Sequence, residues 1–251
     1  MIFCFSGTGN TKRVAGLLAG LLGDSVVMVG AKDQRMSYDI GADERVVWMF
    51  PVHSWGVPPV MRRFMRHVEL RGEVADVKHY MVCTCGDDTG LTHEMWRKEM
   101  RRRGWRGVAA HSVTMPNTYV LLPGFDVDTA DVETGKLQAM SERVRRVARA
   151  IKCASPIDDV LKGKCAWLKT RVVYPLFMRY MMSPKPLHAT GECVGCGGCA
   201  KVCPLSNIEM VDGRPCWGDN CAMCLGCYHA CTRHAVAYGS RTAKKGQYRL
   251  K

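Results

Sequence analysis

Apolar and polar positions alternate in blocks over the first three-fifths of the chain. Short apolar runs at 1–5, 25–29, 45–50, 79–84 and 108–113 are separated by turns and by stretches of helical period at 11–22, 57–68, 91–103 and 133–152. The last stretch carries Leu137, Met140, Val144, Val147, Ala148 and Ile151 at helical spacing, with arginines on the other face. Strand and helix in strict alternation predict a parallel sheet covered on both faces, so residues 1–153 are expected to form an α/β, doubly wound, five-stranded parallel sheet.

The texture changes after that. In residues 154–190, Pro156, Pro175, Pro184 and Pro186 break long elements, and Trp167, Tyr174, Phe177 and Tyr180 are interleaved with Lys and Arg. This reads as a partly helical connector packing two halves together. A basic, aromatic helix lying on a membrane surface is the alternative. Residues 191–238 form a compact Cys-rich unit, and 239–251 a basic tail with Arg241, Lys244, Lys245, Arg249 and Lys251, expected to lie in solvent.

Nine of the 14 cysteines lie from Cys193 to Cys231, and the eight of them other than Cys216 point to metal rather than to disulfides. They repeat one pattern: Cys193, Cys196, Cys199 and Cys203, then Cys221, Cys224, Cys227 and Cys231. Three thiolates spaced by two residues on a tight loop can grip three corners of an iron–sulfur cube, and the fourth must come from elsewhere. Tetrahedral zinc is the alternative, although zinc sites normally take two separated Cys pairs. The spacing resembles that of bacterial two-cluster ferredoxins, which have a small α+β fold. The resemblance implies one 4Fe-4S cluster on Cys193, Cys196, Cys199 and Cys231, and a second on Cys221, Cys224, Cys227 and Cys203. Pro204 follows the first set as in those ferredoxins, whereas Thr232 replaces the second proline. The other cysteines, Cys4, Cys83, Cys85, Cys153, Cys165 and Cys216, read mostly as small buried apolar residues.

The stretch Ser6-Gly7-Thr8-Gly9-Asn10-Thr11 follows the first apolar run. It fails the dinucleotide fingerprint because Lys12 stands where a third Gly belongs, and it is no P-loop. Hydroxyls on Ser6, Thr8 and Thr11, with backbone amides at Gly9 and Asn10 opening a helix, suit a terminal phosphate monoester.

At every fixed position this loop resembles the S/T-x-T-G-x-T phosphate loop of flavodoxins. The resemblance implies FMN and two further loops framing its ring: Pro51-Val52-His53-Ser54-Trp55-Gly56, and Cys85-Gly86-Asp87-Asp88 running on to Thr89-Gly90. Trp55 would offer a stacking face, and the second loop backbone groups to the pyrimidine edge. Plainer roles are packing for Trp55, helix capping for Asp87 and Asp88, and a loop hydrogen bond for His53. A loop at 115–119 is either a turn or a further flavin contact through Asn117 or Tyr119. Nearly end to end, Trp217-Gly218-Asp219 included, the chain resembles prokaryotic fusions of a flavodoxin-like domain with a two-cluster ferredoxin domain.

The formal charge of +13 would ordinarily raise nucleic acid as a partner. Eight thiolates around two cores of about +2 each would remove about 4 charges and a flavin phosphate about 2 more, leaving about +7. No aromatic–basic recognition motif accompanies that charge, so nucleic acid is not expected. The leading expectation is an electron-transfer protein joining one-electron donors to one- or two-electron acceptors, with redox proteins as partners. An FMN-dependent reductase of a quinone or flavin, and a non-redox docking or sensor module, are the alternatives. No signal peptide or membrane-spanning run is read, so a cytoplasmic location is expected, with peripheral membrane contact open.

Overall fold

The computed structural model describes residues 1–31, 36–41, 44–72, 74 and 76–250; Lys251 of the basic tail lies outside them. The first part runs β1 (Ile2–Cys4), α1 (Asn10–Leu22), β2 (Val26–Met28), β3 (Ser37–Ile40), β4 (Arg45–Pro51), α2 (Pro59–His67), β5 (Glu69–Gly72), β6 (Lys78–Cys85), α3 (Thr92–Arg102), β7 (Arg106–Thr114) and α4 (Ala130–Lys152). Five strands form one parallel sheet in the order β2-β1-β4-β6-β7. Counted along the chain, these five lie in the 2-1-3-4-5 order of a doubly wound sheet, which reverses direction between β1 and β4.

Burial on both faces explains the continuous apolar runs. Phe3, Phe5, Trp48, Phe50 and Met81 point to one side, where they pack with Met61 and Met65 of α2 and Trp96 and Met100 of α3. Their neighbours Ile2, Cys4, Val47, Met49 and Tyr80 point to the other, against Val14 and Leu18 of α1 and Val144, Val147 and Ile151 of α4. A tight acidic hub braces the first face: the Glu99 carboxylate, almost wholly buried, accepts hydrogen bonds from Arg62, Arg66 and Arg102. Strands β3 and β5, absent from the sequence reading, make a separate parallel ribbon, from which Tyr38 packs edge-on to Phe3 at 4.8 Å.

The connector folds as α5 (Ala166–Leu168), a π-helical turn (Lys169–Val173) and α6 (Tyr174–Tyr180) in one continuous rod. It is bolted to the first part: Thr170 Oγ1 donates to the Trp55 carbonyl and accepts from Leu91 N–H, both at 2.8 Å, and Tyr174 donates to the Val57 carbonyl at 2.8 Å. Beyond it come β8 (Leu187–Ala189), α7 (Gly198–Val202), β9 (Ile208–Val211), β10 (Arg214–Trp217), α8 (Gly226–Ala230) and β11 (Val236–Tyr238), with antiparallel pairs β8/β11 and β9/β10.

This α+β unit is an internal repeat visible in the backbone. Left-handed residues recur 28 positions apart: Gly195 with Met223, Gly197 with Leu225, and Ser206 with His234. Cys203 Sγ accepts from Asn207 N–H at 3.3 Å, and Cys231 Sγ from Ala235 N–H at 3.2 Å. The unit packs hard on the sheet. A Cβ on Gly30 would lie 2.3 Å from the Pro204 carbonyl oxygen, and Leu205 and Ala222 enter the core under the sheet.

The expectation of a solvated tail is overturned. Tyr248 is buried and donates to Asn10 Oδ1 at 2.8 Å, Leu250 lies over Gly9, and Gln247 and Arg249 donate to the Cys231 carbonyl. The tail's cations thus accompany an apolar strap binding the Cys-rich unit to the loop before α1. No helix among the described residues is long and apolar enough to cross a membrane.

Candidate functional site

Open α/β sheets bind ligands beyond the carboxyl ends of their strands, where strand order reverses. There a cavity lies across the strand ends, partly open to solvent. Its walls are Gly7, Thr8, Asn10 and Thr11 after β1; Pro51, Val52, His53 and Ser54 at the end of β4; Thr84, Cys85 and Gly86 at the end of β6; and residues 115–119 after β7. Phe177 of α6 and Met223, Cys224 and Leu225 of the Cys-rich unit close it.

Gly9, with φ of 100°, turns the first loop into α1, whose opening amides have no carbonyl within the helix to bond. No acidic side chain occupies that first turn, so the positive helix end faces the cavity uncompensated. Ser6 and Gly9 stand behind the wall; Ser6 Oγ accepts from Lys12 N–H at 3.2 Å. The Asn10 side chain is committed to the Pro116 carbonyl and to Tyr248. Thr11 and Thr84 share one hydrogen bond of 2.7 Å, so one of the two hydroxyls keeps a proton to donate.

The second loop differs from expectation. His53 and Gly56 exchange backbone hydrogen bonds of 3.0 Å around Ser54 and Trp55, both left-handed, in a two-residue turn. That turn carries Trp55 away from the cavity: Lys169 Nζ sits 5.1 Å from its ring centroid, and Gly90 abuts its Cβ. Trp55 thus packs under the connector, the plainer of the two roles expected of it, and does not stand in the cavity wall. Gly56 lies outside the wall too, where the Tyr174 ring leaves no room for a side chain. Burial pushes His53 down to about 4, which keeps its imidazole neutral.

Asp87 and Asp88 also stand outside the wall. Asp88 accepts from Gly90 N–H at 3.2 Å and pairs with Lys169 at 2.5 Å, a loop-capping role; Asp87 offers only its carbonyl, 3.8 Å from the Cys85 thiol. Cys85 does face the cavity, and burial, with Asp88 and Asp87 nearby, raises it to about 12, so it stays a neutral thiol. Asn117 and Tyr119 both reach the wall. The Tyr119 hydroxyl is buried with no hydrogen-bond partner among the described residues, and the titratable groups nearest to it in effect are Tyr238 and Arg241.

Two further cavities lie in the Cys-rich unit. One is lined by Cys193, Cys196, Cys199 and Cys231; the other by Cys203, Cys221, Cys224 and Cys227. Each cavity thus gathers three cysteines of one repeat and the fourth of the other. Among the described residues, no three His, Cys, Asp or Glu side chains close in as they would around a single metal ion; the cysteines ring open space. Burial raises Cys224 and Cys227 to about 12 and lifts Cys199 and Cys221, so these thiols keep their protons unless a cation lies among them. Trp217 Nε1 is buried in the lining of the second cavity, where its N–H faces Cys227 and pulls that thiol down against the effect of burial. Of the remaining cysteines, Cys4, Cys83 and Cys85 are buried, whereas Cys153, Cys165 and Cys216 are exposed, against the expectation of burial.

The two halves of the site meet at Cys224, which stands in the wall of the large cavity and of the second cysteine cavity. Phe177, Met223 and Leu225 escaped sequence reading because they come from distant segments. The left-handed backbone of Met223 and Leu225, at positions where the first repeat has Gly195 and Gly197, is a signal that only the repeat alignment exposes.

No protein-family model and no curated protein matches the chain. Among solved structures, the chain is similar to an oxidised flavodoxin 1 from Bacillus cereus, at 16% identity over 57% of this chain and 95% of that one, with a TM-score of 0.34. It is also similar to the Trp repressor binding protein from Bacillus subtilis, at 13% identity over 58% and 96%, TM-score 0.37, and to an azoreductase from Bacillus anthracis str. Sterne, at 12% identity over 59% and 97%, TM-score 0.38. Likenesses this distant leave function to be argued from the site.

Proposed function

We propose that the chain is an electron-transfer protein that binds FMN in the large cavity and one 4Fe-4S cluster in each cysteine-lined cavity. The observation that carries this reading is Cys224, common to the walls of the large cavity and of a four-cysteine ring. The residues fit these groups: an uncompensated helix end for a phosphate, a wall built from the loops after four sheet strands for a ring, and eight thiols in two rings with an indole N–H at hand. When bound, the clusters would supply one-electron and the flavin one- and two-electron chemistry.

The chain's own residues hold and insulate the site. Thr8, the Thr11/Thr84 hydroxyl pair and the first amides of α1 bind the phosphate; Asn117, Tyr119 and the backbone at Gly86 orient the ring. Met223 and Leu225, both buried, keep water from the wall between the two cavities. Trp217 donates its N–H toward Cys227 sulfur. An external redox protein would approach the first cysteine ring, where Cys196 is exposed and Val194 is 65% exposed, whereas Cys227 of the second ring is buried.

The test is iron analysis of single variants purified anaerobically. Cys193→Ala and Cys221→Ala should each lower bound iron from about eight to about four per chain and leave the flavin in place. Iron unchanged in both variants would overturn the reading.

A further inference from the structure

The connector carries one surface that the reading above does not use. On the continuous rod from Ala166 to Tyr180, Thr170 and Tyr174 face inward, buried and hydrogen-bonded to the first part. Those bonds fix which side of the rod looks out. On that outer side Leu168, Val172, Leu176 and Tyr180 recur every fourth residue and are 50%, 39%, 52% and 65% exposed, with Trp167 beside them at 64%. A contiguous apolar stripe of this kind on an otherwise well-packed protein marks an interaction site.

Charge says what the stripe meets. Residues 160–191 contain Lys162, Lys164, Lys169, Arg171, Arg179 and Lys185 and no Asp or Glu at all. Lys169 and Arg171 are paired with Asp88 and Glu94 of the first part, while Lys162, Lys164, Arg179 and Lys185 are exposed. An apolar stripe with an indole and a phenol on it, rimmed by cations on a segment with no carboxylate of its own, matches the composition of a helix lying in the interface of an anionic bilayer. A soluble acidic partner would be met by the cations, but it would not call for an exposed Trp and three exposed aliphatic side chains in line.

We propose that this face of the connector docks the protein on an anionic lipid surface. The inference stands on the connector alone and does not depend on which groups fill the three cavities. The rod also contributes Phe177, on its inward side, to the large cavity's wall.

The test is binding of the full chain, purified anaerobically, to phosphatidylcholine vesicles with and without phosphatidylglycerol, read by co-sedimentation and tryptophan emission. Binding is expected to the anionic vesicles, with a blue shift that Trp167→Phe removes without abolishing sedimentation. The doubly substituted Lys162→Glu/Lys164→Glu chain should bind about tenfold more weakly or worse, and Leu176→Glu should not bind. All these side chains are solvent-facing, and unchanged circular dichroism would show that the variants fold. Three results would overturn the proposal: no binding by the wild type, equal binding by Leu176→Glu, or a vesicle-free dimer that Leu176→Glu dissolves, which would assign the face to a second copy.

Discussion

Gly7 of the loop after β1 rests directly on Cys224: a Cβ added to Gly7 would lie 2.4 Å from the Cys224 Cβ and 2.8 Å from its Sγ. The contact is reciprocal, because a Cβ on Gly226 would lie 2.6 Å from the Gly7 carbonyl oxygen. Two loops from opposite ends of the chain therefore fit only because each presents a bare backbone to the other. Gly7→Ala should cost about 1–3 kcal/mol by overpacking, measured by denaturant unfolding. It should also lower bound iron and flavin together, since the side chain would wedge the shared wall apart. Full cofactor content at wild-type stability would show that the wall is not shared.

The tail strap predicts a second effect. Tyr248→Phe should lose about 1 kcal/mol of stability with its bond to Asn10. Deleting residues 247–251, which uncovers Gly9 and releases Asn10 Oδ1, should weaken FMN binding by about tenfold, or about 1.4 kcal/mol. Fluorescence titration of the flavin-free chain measures it, and an unchanged affinity would reduce the strap to a structural ornament.

Acid should unfold the protein in a window set by buried histidines. Burial lowers His53, His111 and His229 to about 4 and His79 to about 3. The His79 Nδ1 accepts from Trp48, and the His229 Nδ1 accepts from Tyr248 N–H while its Nε2 donates to the Thr118 carbonyl, so both rings are held neutral. Below the unfolded value of about 6.5 the unfolded chain binds protons that the folded chain does not. Stability from these groups is thus complete above about pH 6.5 and falls as pH drops toward 4 and 3. Urea midpoints at pH 7.5 and 5 would be compared; equal values would contradict the assignment.

Glu99 acts lower in pH. Burial alone would raise its carboxyl, but hydrogen bonds from Arg66 and Arg62 outweigh that and hold it at about 2. Its contribution is present above the unfolded value of about 4.3 and is lost as pH falls toward 2. Glu99→Gln, which keeps the shape and removes the charge that three guanidinium groups share, should cost about 2 kcal/mol at neutral pH. A loss confined to acid conditions would be inconsistent with this hub.

What was legible in the sequence follows from how the energy is distributed. The five sheet strands were legible because both faces are buried, which leaves unbroken runs such as Val46 to Phe50. Ribbon β3/β5 was not, because Tyr38, Ile40 and Leu70 are its only buried residues and charges flank them. The cysteine rings were legible as spacing. Which of its two roles Trp55 takes was not legible, because a left-handed turn and a lysine more than a hundred residues away decide where its ring lies. The strap was hidden because Tyr248 and Leu250 sit in a segment whose composition reads as solvated.

The central claim is that one chain holds three redox groups, two of them sharing the wall at Cys224. Its most direct test is the anaerobically purified wild-type protein, with iron, sulfide and flavin quantified and the reduced protein examined by electron paramagnetic resonance. The account predicts about eight irons, about eight sulfides and one FMN per chain, with signals of interacting reduced clusters. Zinc in place of iron and sulfide, or a chain that binds no flavin, would contradict it.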